Sequence, residues 1–204
     1  MEIIQSNAKL RATMNKLLAK EGDRALKNAS PRIKRRVRNV VLGAIASCDE
    51  IRELSSGSLK YDFGLTTDPT DEIISAIVNS VYVEVRKITS SGGRFNGGIT
   101  ILIQPSGYQN LLSLPVAQQE IEDGSFLPWL SWLLTRGTEI IIANYGVLEG
   151  AGFGRSGGAK MTKKEAPFMV DPQYSGVPED NFITRALEPH QSTISKIIKE
   201  ELTR

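Results

Sequence analysis

Cysteine and histidine are almost missing from this chain: 204 residues contain one of each, Cys48 and His190. One cysteine excludes an internal disulfide and a cysteine-rich zinc site, and one histidine leaves no histidine-based metal cluster. No apolar run reaches the roughly 18–20 residues needed to span a bilayer. The opening residues 1–7 lack the basic-then-apolar pattern of a secretory leader. The expectation is a product made in the cytosol, soluble or assembled there, with no membrane partner. Charge of one sign is not in excess either, with 25 basic and 23 acidic residues and a net charge of +2. An argument for nucleic acid must therefore rest on local clustering.

What is present suffices for one sizeable domain, or a core with a helical arm. Apolar residues make up 40% of the chain, enough for a packed interior. The most apolar stretch, Phe126 to Val147, holds both tryptophans, Trp129 and Trp132. Pro128 suits the first turn of a helix through WLSWLL, and Gly137 follows as a C-terminal glycine. Thr138 to Ile142 then reads as a buried strand. Leu130, Leu133 and Leu134 cover one side of the short helix, while Leu127, Trp129 and Trp132 cover much of the other. A helix apolar nearly all round needs more cover than one sheet, so Phe126, Leu127, Trp129 and Trp132 are the expected subunit interface.

Before this segment, residues 8–28 read as a helix, with Leu10, Met14, Leu17 and Leu18 at helical spacing and Gly22 as a bend. Its apolar face is narrow, which suits an element that docks on something else. Ser30 and Pro31 read as N-cap and first position of a second, stronger helix to about residue 54. Its stripe is Ile33, Val37, Val40, Val41, Ala44, Ile45, Cys48 and Leu54, which makes Cys48 a small core residue. Arg32, Lys34, Arg35, Arg36 and Arg38 crowd its opening turns, against the macrodipole. They form either a solvated face or a surface for DNA phosphates or an acidic partner.

Asp68 and Pro69 open a helix to about residue 80. Residues 81–88 and 99–104 read as strands of a hairpin with a long loop at 90–98. A short helix is expected near 115–121, and a fourth strand at 159–163 pairing back on the third. A final helix is capped by Asp180 and kinked or restarted by Pro189. The fold class is α+β: a small, mainly antiparallel sheet of about four strands, flanked by a long N-terminal helix pair (residues 1–56) and a C-terminal helix.

No catalytic constellation emerges. Gly152, Gly154 and Gly157 spell G-x-G-x-x-G, but no helix follows to hold a pyrophosphate, so a hairpin-tip loop at 149–158 is the better reading and no cofactor is expected. No serine lies in a nucleophile elbow. His190, Asp49, Glu50, Glu53, Asp68, Asp71 and Glu72 read as structural or solvated.

Several segments together resemble a family. They are Ser56-Gly57-Ser58-Leu59 and Phe63-Gly64-Leu65, Leu127 to Gly137, Gly154-Arg155-Ser156-Gly157, and Asp180-Asn181-Phe182-Ile183-Thr184-Arg185-Ala186-Leu187. Their order is similar to that in the head–tail joining and tail-completion (minor tail, neck) proteins of tailed bacteriophages. The resemblance implies a structural virion protein, not an enzyme. It would form a homo-oligomeric ring, a hexamer or alternatively a dodecamer, assembled in the host cytoplasm. Its implied partners are a portal or connector protein, a tail tube or tail terminator protein, and double-stranded DNA passing through the lumen. A tail terminator capping the tail tube is the alternative within this class. A virion-associated hydrolase and a free DNA-binding protein are the alternatives outside it.

Overall fold

The computed structural model describes residues 7–104, 106–120, 126–137, 145–148, 160–163 and 170–203. The first element corrects the expected helix pair. A single helix, α1, runs from Asn7 to Ala46 with Pro31 inside it. An internal proline removes one hydrogen bond and costs about 3 kcal/mol. The apolar stripe crosses that site in phase, through Leu26, Ala29, Ile33, Val37 and Val41, all buried. Continuous packing on both sides of Pro31 therefore holds one axis. The chain breaks at Ser47 and Cys48 instead, and Cys48 occupies the N-cap of α2 (Asp49–Ser56). It is half-buried against the core rather than on the stripe of α1.

Two short helices follow, α3 (Ser58–Asp62) and α4 (Thr70–Asn79). The Asp68 side chain accepts the Thr70 N–H at 2.9 Å, which fixes the start of α4. Strands β1 (Tyr82–Ser91) and β2 (Arg94–Leu102) pair antiparallel, with Val83 opposite Ile101 and Val85 opposite Ile99. The expected long loop is absent. The ladder slips between Arg86 and Thr89, then resumes to Ser91 opposite Arg94. Gly92 and Gly93, both at positive φ, make the two-residue turn. Gly97 sits at the slip, where a Cβ would fall 2.5 Å from the Lys87 carbonyl oxygen. The hairpin packs along α1; at Gly22 a Cβ would come 2.9 Å from Ile88 Cδ1.

Next come α5 (Gln109–Leu112), a 3-10 turn at Pro115–Ala117, and the two-residue strands β3 (Gln119–Glu120) and β4 (Phe126–Leu127). Helix α6 (Trp129–Leu134) follows as expected. Gly137 then donates its N–H to the Gly176 carbonyl at 2.7 Å. The expected strand at 138–142 and the loop at 149–158 lie outside the described residues. Strands β5 (Tyr145–Leu148) and β6 (Lys160–Lys163) pair antiparallel. Each described pair of strands is its own two-stranded ladder, so the expected sheet of about four strands does not form among the described residues. The chain closes with α7 (Phe182–Leu187), a 3-10 turn at Glu188–His190 around Pro189, and α8 (Gln191–Leu202). The N-cap of α7 is Asn181, not Asp180.

The core joins the C-terminal half of α1 to α2, α3, α4, α6 and α7. Phe63 packs within it in tilted contacts, its ring centroid 5.3 Å from that of Trp129 and 6.0 Å from that of Trp132. The N-terminal half of α1 extends away from this core, with the hairpin on one side.

Candidate interaction surfaces

The apolar segment is placed opposite to expectation. Trp129 is 0% exposed, and Leu127 and Trp132 are 1% exposed. The Trp129 indole N–H donates to the Val116 carbonyl at 2.9 Å. The cover that α6 requires comes from Phe63 and the rest of the subunit, so these three residues cannot meet a neighbour in this fold. Phe126 alone points outward, 61% exposed.

The basic cluster also divides. Because α1 is continuous, Arg32 to Arg38 lie mid-helix and do not oppose a helix N-terminus. Arg32 Nε lies 2.7 Å from Glu201, and Arg36 bridges Glu200 at 2.8 Å and Glu201 at 3.0 Å. The Glu201 side chain is 1% exposed, so these arginines neutralise a buried carboxylate and clamp α8 onto α1. The Arg36 guanidinium is held above its usual range by its hydrogen bonds to Glu200 and Glu201. Arg38 donates to the Asn79 carbonyl at the end of α4, at 3.3 Å. That leaves Lys34 and Arg35 as the cluster's charges for an outside partner, Arg35 exposed and Lys34 partly so. Sequence reasoning alone does not single out Glu200 and Glu201. Only the i, i+4 spacing of Arg32 and Arg36, matched by an acidic pair on the last helix, hints at them.

The face that does lack cover is on the N-terminal half of α1. Leu10, Met14, Leu17 and Leu18 are 49%, 53%, 58% and 58% exposed. They occupy the side of the helix turned away from Ala19 and Leu26, which are buried. Lys16, Lys20 and Arg24 stand exposed beside them.

A groove of about 520 Å³ lies at the other end of α1. Ala46, Ser47, Ile51, Arg52, Thr70 and Ile74 are among its walls. Asp68 sits at its edge, accepting hydrogen bonds from the wall residues Ser55 and Thr70. Burial works against the Asp68 carboxylate, but those bonds prevail and hold its pKa below 3.8. Asp49 pairs with Arg52 on another wall. Leu42, one turn before Ala46 on α1, is 46% exposed.

Among the described residues, no three His, Cys, Asp or Glu side chains are grouped to hold a metal ion. No described helix is long and apolar enough to cross a membrane. Comparison with protein-family models, with curated proteins and with solved structures gives no match to this chain.

Proposed function

We propose that this chain is a structural virion protein of a tailed bacteriophage. It forms a ring in the neck or upper tail and joins the DNA-filled head to the tail. The reading rests on the ordered segments from Ser56 to Leu187 that resemble the neck family. The observation that carries the assembly part is the uncovered stripe Leu10, Met14, Leu17 and Leu18.

Magnitudes favour a ring over a simple pair. Fully burying one such side chain is worth about 1.5–3 kcal/mol. These four are half covered already, so the stripe offers roughly 3–6 kcal/mol. Association costs on the order of 4–15 kcal/mol in lost freedom. One stripe is thus a weak adhesive. A closed ring of n subunits makes n such contacts against n − 1 association costs, whereas a head-to-tail pair makes one contact against one cost. Lys34 and Arg35 are the cations of the mid-helix cluster suited to DNA phosphates in the lumen or to an acidic neighbouring ring.

The test is negative-stain microscopy and sedimentation of the purified chain, alone and with portal-bearing heads. Closed rings of hexamer or dodecamer mass are expected. A particle that stays a monomer at high concentration and on the heads would overturn the reading.

A further inference from the structure

We infer that the N-terminal half of α1 docks into the groove at Ala46, Ile51 and Ile74 of a second copy, head to tail. This rests on the ring reading and names the two surfaces that meet.

Three observations carry it. The first is charge. Residues 7–45 hold eleven Lys or Arg and two Asp or Glu, while residues 46–75 hold two and seven. The nearly neutral total hides a strongly basic helix followed by an acidic segment. The stripe on α1 is flanked by Lys16, Lys20 and Arg24; the groove carries one cation on its wall, Arg52, with Asp49 paired to it, Asp68 bonded to the walls Ser55 and Thr70, and Asp71 exposed on α4 between the walls Thr70 and Ile74. Stripe-on-stripe pairing would set like charges together, whereas stripe-in-groove pairing sets opposite charges together.

The second is shape. Ala46, Ile51 and Ile74 put apolar surface into the groove among the polar walls Ser47, Ser55, Ser56 and Thr70, and Leu42, one turn before Ala46 on α1, adds a 46% exposed side chain. The groove offers further apolar cover for four side chains that are about half exposed in their own subunit.

The third is distance. Met14 and Ala46 belong to one unbroken helix, 32 residues apart, so about 48 Å separates them at about 1.5 Å per residue. A subunit cannot fold its own stripe into its own groove. The contact needs another copy, and because its two faces differ it repeats around a ring when the rotation closes.

The test is charge-swap complementation. One variant carries Lys16→Glu, Lys20→Glu and Arg24→Glu; the other carries Asp49→Lys and Asp71→Lys. Asp68 is left intact because it caps α4. Each variant alone should sediment as a monomer with wild-type helical content, and a 1:1 mixture should regain the wild-type oligomer. The wild-type oligomer should also loosen as salt rises. Leu42→Glu, at an exposed position, is a second test and should give a monomer without charge reversal elsewhere. If the groove variant or Leu42→Glu still assembles alone, or if the mixture stays monomeric, the docking is wrong while a ring by other contacts stands. If the wild-type chain never assembles, both readings fall.

Discussion

Asn181 Nδ2 donates to Tyr108 Oη at 2.8 Å, across 73 residues of chain, inside the protein. The same amide donates to the Val177 carbonyl at 3.0 Å, and its oxygen accepts the N–H groups of Ile183 and Thr184. The Tyr108 hydroxyl in turn donates a hydrogen bond to the Pro178 carbonyl at 2.9 Å. One fully buried side chain thus caps α7 and fastens it to the turn before α5. Losing a cap costs about 0.5–2 kcal/mol, and stranding a buried polar partner costs about 1–3 kcal/mol. Asn181→Ala should lower unfolding stability by roughly 2–4 kcal/mol. A urea midpoint within error of wild type would refute this.

The burial of α6 separates Trp129 from Phe126. Trp129→Ala should cost about 3–5 kcal/mol, as large core truncations do. Phe126→Ser should change stability by less than about 0.5 kcal/mol. Equal effects of the two on thermal melts would contradict the observed burial.

The basic cluster should split by role. Replacing Arg32 and Arg36 by Met leaves the buried Glu201 carboxylate without these two cations and should destabilise the chain by roughly 3–5 kcal/mol. Lys34→Glu with Arg35→Glu should leave stability within about 0.5 kcal/mol, yet reduce head–tail joining in a phage complementation assay. Normal virion yield from that double variant would remove the cluster from the joining surface.

Asp68 gives a pH dependence with a defined sign. Its folded pKa lies below the unfolded value of 3.8. The stabilisation it contributes is therefore present above pH 3.8 and lost as pH falls through the lower folded value. Asp68→Asn keeps an acceptor for the Thr70 N–H but cannot titrate, so melting temperature should fall less steeply below about pH 4. An unchanged acid limb would show that Asp68 is not part of the transition.

Cys48 behaves as a half-covered thiol. Burial raises its pKa above 9.0, outweighing the backbone hydrogen bonds that lower it. Labelling by a thiol reagent at pH 8 should be slower than for free cysteine and recover on denaturation. Immediate labelling of the native protein would place Cys48 at the open surface.

Much of the fold is legible where the cause is local. The Asp68-Pro69 start of α4, the alternation in β1 and the Gly137 stop after α6 all depend on neighbours within a few residues. Pro31 misleads because its local cost is real but smaller than the packing of Ile33 and Val37 around it. The α6 segment misleads because its pattern says only that cover is needed. Phe63, some 66 residues earlier in the sequence, supplies it from within. The Arg32 and Arg36 partners lie more than 160 residues away, where no periodicity reaches. The stripe on the N-terminal half of α1 is the reverse case. Its spacing is plain in the sequence, and so is its narrowness, which suits docking over a private core.

Isolated helices shorter than about 12–15 residues are marginal in water, because nucleation is unfavourable, and longer ones gain most of their stability in proteins from packing. The leading half of α1 has that support, since it grows out of a clamped shaft and leans on the β1–β2 hairpin. Any molecule that covers its leucines meets a segment already wound. Binding then spends nothing on coil-to-helix ordering, so a modest contact suffices and encounter need not wait for folding.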